Sequence, residues 1–297
     1  MADFECSALK TKIYLLWVRK YAESGSKALF TAVLREICAY ICDFIVLIQL
    51  HSDYFRCFDV VQRQWSGKTA LSTSFPYSRE ARYLTFPNKS LIYTGGLVQN
   101  TALAYTCAIS LAGKVQTLPS LAVGRFMHGL ALYHRRVYVF GGLEVVEGEE
   151  KFTNSCESLD LSNPVQWKAL PDQIQHRVCY NPCVWTGEIW LCGGRNTTIE
   201  VFSPASLTFR LIPLPFPDNG PTLVFQMNGN LVVFSRRSAV TLSVQQGKVQ
   251  IDSRTSLLGK FEPTMEITAY KDLAWVMQND KCVGLDGFSG ITVEVSR

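Results

Sequence analysis

The chain has 297 residues and a mass of 33.3 kDa, enough for one large domain or two ordinary ones, and a fold of that size buries roughly 75% of its extended-chain surface. Its 29 Lys and Arg against 25 Asp and Glu leave a net charge of +4 with no block of like charges, which argues against a nucleic-acid footprint. With 47% hydrophobic and 18% charged residues, below the roughly 25% charged that soluble domains carry, the composition excludes extensive disorder.

Met1–Glu5 carries Asp3 and Glu5 and lacks the basic stretch and cleavable apolar run of a secretory signal. A cytoplasmic setting is therefore expected, with the ten cysteines reduced. A weak helical pattern spans residues 7–22. A stronger one spans 26–42, where Phe30, Val33, Leu34, Ile37 and Ile41 follow helical spacing, Ser26 can cap, and Arg35 and Glu36 face away. The same stretch admits a competing reading, in which residues 36–41 form a strand aligned with His128–Tyr133. The most apolar window, Ile37–Leu50, is 14 residues long and is interrupted by Asp43 and Gln49, short of the roughly 20 that a membrane-spanning helix needs. No membrane association is expected. Asn88-Lys-Ser and Asn196-Thr-Thr match the glycosylation acceptor pattern and, without secretion, read as polar turns.

From about residue 44 onward the chain repeats itself. "SLIYTGG", "RVYVFGG" and "EIWLCGG" end at Gly96, Gly142 and Gly194, and each is a β-branched and aromatic run closed by a turn through positive φ. The first glycines are Gly95, Gly141 and Gly193. Copies without glycine place Gln49, Ser235 and Met277 at the same point, giving intervals of 46, 46, 52, 42 and 42 residues. A short strand is expected before each of the later five runs, at residues 82–86, 128–133, 182–186, 222–227 and 266–270. After the runs, Trp65, Phe209, Ile251 and Val293 stand 16 positions beyond the first-glycine position; the third copy has Trp167 at 26, after an acidic insert from Glu144 to Thr153. Four short strands at this period make one blade of a β-propeller.

In these features residues 44–297 resemble the kelch-repeat family: an apolar strand ending in two glycines, a polar loop, a strand with Asp nearby, and a Trp on the outer strand. The best copy runs from Arg136 to Trp167, and Phe55–Trp65 keeps the second half. The resemblance implies an all-β, six-bladed propeller over 44–297, preceded by a short helical segment over 1–43. It also implies a non-catalytic platform that binds a partner protein through loops at one channel mouth. Residues 28–43 further resemble an F-box helix without its usual Leu-Pro start and Trp-Arg finish, which implies a rival role as substrate receptor of a ubiquitin ligase. Some kelch-like propellers are oxidases or sugar-modifying enzymes, but the His and Tyr ligands of such a copper site cannot be assembled here.

Few motifs carry chemistry. Gly67-Lys68-Thr69 lacks the first glycine of a phosphate-binding loop, since Gln62 stands in its place. Cys38 with Cys42, and His176 with Cys179 and Cys183, lack the spacing of a zinc site and read as small buried hydrophobes. His51, His128, His134 and His176 sit beside no nucleophile in a strained turn. No catalytic residue, metal or cofactor is expected, and the acidic insert reads as a solvated loop, with a cation or a basic partner as the alternatives for its four Glu. One constellation remains: Arg79, Arg125 and Arg177 each precede the first glycine of their copy by 16 residues. They are expected either to gather at one mouth and hold an acidic protein epitope or to brace neighbouring carbonyls.

Overall fold

The computed structural model describes residues 46–59, 64–78, 80–85, 90–178, 180, 182–194, 196, 198–213, 223–227, 230–234, 238–245, 248–256, 267–270, 273–278, 281–286 and 292–295. The chain divides into two compact units, Met1–Phe44 and Ile45–Arg297, and all described residues belong to the second. They form strands, turns and loops without a helix, so none contains a helix long and apolar enough to cross a membrane. The expected helices at 7–22 and 26–42, the alternative strand at 36–41, and Arg79 lie outside the described residues.

The sheets follow one another in chain order. The first holds β1 (Val46–Leu50), β2 (Tyr54–Asp59), β3 (Gln64–Trp65) and β4 (Thr69–Ala70), with β3 and β4 pairing in succession to β2. The second holds β5 (Arg82–Thr85), β6 (Ser90–Thr94), β9 (Thr106–Ser110) and β10 (Val115–Thr117), interrupted by a hairpin of β7 (Leu97–Val98) and β8 (Thr101–Ala102). The third holds β11 (Gly129–Tyr133), β12 (Arg136–Phe140), β15 (Cys156–Asp160) and β16 (Lys168–Leu170), interrupted by a hairpin of β13 (Leu143–Val146) and β14 (Glu149–Phe152). The fourth runs β17 (Cys183–Trp185), β18 (Glu188–Leu191), β19 (Thr198–Ser203), β20 (Thr208–Pro213). The fifth runs β21 (Leu223–Met227), β22 (Asn230–Phe234), β23 (Ser238–Gln245), β24 (Lys248–Ser256), and the sixth β25 (Ile267–Tyr270), β26 (Leu273–Gln278), β27 (Lys281–Asp286), β28 (Thr292–Val295). Among the described residues every pairing is antiparallel, and no strand of one sheet is borrowed by another.

The apolar runs become second strands because they are buried on both faces. In β6, Leu91 and Tyr93 join Leu50, Phe55, Cys107 and Ile109 between the first and second sheets, while Ile92 joins Leu130, Val137, Val139 and Leu159 between the second and third. In β12, Tyr138 and Phe140 face the fourth sheet with Ile189 and Phe202, and Trp190 and Val201 of the fourth pack with Val224, Leu231 and Val240 of the fifth. Contacts also run from β21 to β25, and from β25 to β1, so the sixth sheet lies against the first. The expected outer-strand residues Trp65, Phe209, Ile251 and Val293 fall on β3, β20, β24 and β28. Trp167 directly precedes β16, and its indole Nε1 donates 2.8 Å to the Pro119 carbonyl, tying the third sheet to the end of the second.

Candidate functional site

The double glycines occur where expected, with φ of +66 and +113 at Gly95 and Gly96, +51 and +99 at Gly141 and Gly142, and +103 and +74 at Gly193 and Gly194. At Gly142 a side chain is excluded by space as well as by φ, since a Cβ would lie 2.6 Å from the Phe126 carbonyl oxygen and 2.8 Å from the Cβ of His128. The first two turns bring the chain against the next copy. The Gly96 amide donates 2.9 Å to the Arg125 carbonyl, and the Gly142 amide donates 3.1 Å to the Arg177 carbonyl.

The arginines carry that linkage onward through their side chains. Arg125 Nη1 donates to the Gly141 and Ser155 carbonyls at 3.0 and 2.7 Å, and Nη2 reaches Glu157 Oε1 at 2.8 Å. Arg177 Nη1 donates 2.7 Å to the Gly193 carbonyl, its Nε 3.2 Å to Glu200, and its Nη2 2.9 Å to the Thr198 carbonyl. Glu157 and Glu200 also accept the backbone amides three residues before their arginines, those of Ala122 and Ile174. Both arginine side chains have 0% exposure, and those of their glutamates 4% and 0%. Arg125 and Arg177 therefore offer no surface to a partner, and the expected acidic-epitope site does not exist at these two positions. Their forks are consumed inside the fold, because a buried guanidinium must satisfy all its donors internally.

The sequence reading missed Glu157 and Glu200. They lie 16 and 7 residues beyond their first glycines, yet occupy one place in the ladder, opposite Val139 and Leu191, each two residues before the first glycine. The difference in offset arises where β13 and β14 intervene. In the second sheet that place, opposite Tyr93, belongs to Cys107. His128 was also missed as a structural residue. It is fully buried, its Nε2 lies 2.6 Å from Thr94 Oγ1, and its carbonyl accepts from Arg82 Nε at 2.9 Å. Burial first, then the charges of Arg125 and Arg82, hold its imidazole well below the usual histidine range.

Beyond the first two double glycines the chain leaves the sheets as hairpins. Gln99 and Asn100, and Glu147 and Gly148, all have positive φ, as type I′ turns demand. β13 packs beside β8, and Asn100 Nδ2 donates 3.3 Å to the Gly148 carbonyl. The acidic insert is thus an ordered hairpin. Its strand β14 exposes all four residues, Glu149, Glu150, Lys151 and Phe152. Phe152 is 55% exposed and lies with its ring 5.5 Å from that of His176, and Ile174 nearby in sequence is 50% exposed.

The remaining motifs are absorbed by the fold. Lys68 Nζ sits 4.3 Å above the Tyr54 ring and Thr69 begins β4, and Arg56 covers the Trp65 ring at 4.6 Å. Burial pushes the thiols of Cys107, Cys156 and Cys183 up to about 12. Cys179 lies outside the described residues, and among those described no group of three His, Cys, Asp or Glu could hold a metal ion. No protein-family model and no curated protein matches this chain.

Proposed function

We propose that residues 44–297 form a six-bladed propeller of kelch type and act as a non-catalytic, cytoplasmic platform that binds a partner protein through the hairpins beyond the double glycines. The propeller reading is supported by six successive antiparallel sheets, each packed on the next, with the sixth against the first. The observation that carries the binding role is β14. Strand residues alternate between two faces, so exposure of all four means that neither face of this strand is covered. A large exposed aromatic costs solvation unless a partner covers it, and aromatic residues dominate the buried centres of interfaces. Glu150 shares the face of Phe152, and Glu144, Glu147 and Glu149 outnumber Lys151 in the rest of the hairpin, so the partner surface is basic with an apolar centre, the reverse of the charge expected from the arginines.

The test is affinity purification with the full chain, identification of the bound protein, and comparison with Phe152→Ala and Glu149→Lys/Glu150→Lys. Capture that falls at least about tenfold with an unchanged melting temperature supports this surface, as truncating an interface anchor costs ~2 kcal/mol or more. Undiminished capture by both variants removes the hairpin as the partner surface.

A further inference from the structure

The second and third sheets do not close on each other fully. Between them lies a cavity of about 610 Å³, within the roughly 300–1,000 Å³ range of ligand pockets. Its origin is legible in the register. Across one face of the second sheet, Ile92, Ala108 and Gln116 stand in one row and Ser90 opposes Ser110 in the next. In the third sheet the matching places hold Tyr138, Ser158 and Lys168, and then Arg136 opposite Asp160. In the fourth they hold Trp190, Val201 and Arg210, with Glu188 in the place of Arg136. At those places the third sheet carries the Arg136–Asp160 ion pair at 3.0 Å, and the fourth the Arg210–Glu188 pair. The second has two small serines there and no such pair, and both serines line the cavity.

The walls select a ligand class. Ile92, Ala108, Leu118, Leu132 and Leu161 make an apolar lining, and Ser90, Ser110 and Gln116 add neutral hydrogen-bonding groups. Lys114 and Arg135 also line the cavity, and both are exposed. Neither side chain forms an ion pair with a described residue, in contrast to Arg125, Arg136, Arg177 and Arg210. No Asp or Glu lines the cavity. Ile92 and Ala108 face it from the middle of a sheet whose backbone groups are spent in the ladder, so this wall suits an alkyl or aryl body better than a peptide with its own amides to satisfy. We infer that the cleft between the second and third sheets is a binding site for a small carboxylate with an apolar body, its acid group held by Lys114 and Arg135. The site is separate from the hairpin surface and stands or falls without it.

Dodecanoate, below its micelle concentration, serves as the probe in calorimetric titration of the full chain, with dodecanol and dodecyltrimethylammonium as neutral and cationic comparisons. The expected result is one dodecanoate per chain, bound at least about tenfold more tightly than either comparison. Lys114→Ala/Arg135→Ala, both at exposed positions, should remove that preference at an unchanged melting temperature. Ser90→Arg with Ser110→Asp puts the third sheet's larger pair in the cavity wall and should abolish binding; if that pair unfolds the chain, Ser162→Trp at the exposed rim replaces it. Equal binding of the cationic amphiphile, dodecanoate affinity unmoved in the double alanine variant, or no binding at all overturns the assignment.

Discussion

At the scale of single residues, Arg125 and Arg177 show how a surface-type side chain becomes an internal brace. Each guanidinium joins the first-glycine carbonyl of its own copy to a glutamate on the third strand, while its backbone carbonyl accepts from the preceding copy. Removing one member of a buried pair strands the other without solvent or counter-charge, at a cost of about 3–5 kcal/mol. Arg125→Ala is expected to lose that amount in urea unfolding, and Arg125→Met with Glu157→Leu to regain most of it; a single variant losing under about 1 kcal/mol would contradict the brace. His128 gives a second test. Its folded form is held neutral, so the unfolded chain takes up the proton first as pH falls below about 6.5. Stability from this residue is complete above that pH and declines below it by up to about 1.4 kcal/mol per pH unit. Unfolding free energies measured from pH 7.5 to 5 should show this slope in the parent chain and a flatter one in His128→Gln.

At the scale of elements, strands are joined within a sheet by the ladder and between sheets by few directional bonds. Trp167 supplies one of them, with its ring in the apolar layer beside Leu118 and Leu121 and its Nε1 on the Pro119 carbonyl. Trp167→Phe keeps most of the ring and removes the bond, leaving a partly buried carbonyl without that donor. A loss of about 1–2 kcal/mol is expected in chemical denaturation, and an unchanged midpoint would mean that water replaces the bond freely. The hairpins belong to this scale as well. Residues 144–153 read as a solvated loop in the sequence, because four Glu in seven positions mask the alternation of Leu143 and Val145. The type I′ turn at Glu147-Gly148 was the available signal, and packing beside β8 gives the hairpin its half-buried strand.

At the scale of the whole molecule, the contact between β25 and β1 separates two kinds of architecture. In an open array each unit touches only its neighbours and losing an end unit costs a proportionate share of stability, whereas in a closed ring it exposes two edges at once. Deleting residues 257–297 is therefore expected to abolish cooperative thermal unfolding of the remaining sheets. A truncated chain that still melts in one sharp transition would favour the open array.

The sequence by itself determined the all-β character, most strand positions, the copy boundaries and the double-glycine turns. These depend on local quantities: two-residue alternation, β-branched and aromatic content, and the access of glycine to positive φ. Only the tertiary structure decided what the conserved-looking offsets mean. The spacing of Arg125 and Arg177 was visible, but their burial was not, because Glu157 and Glu200 come into the same ladder position only after strands of unequal separation have paired. The open cleft was hidden for the same reason. Ser90 and Ser110 are ordinary polar residues in the chain, and only their register shows that two small side chains line the cavity at the place where the next sheet carries Arg136 and Asp160.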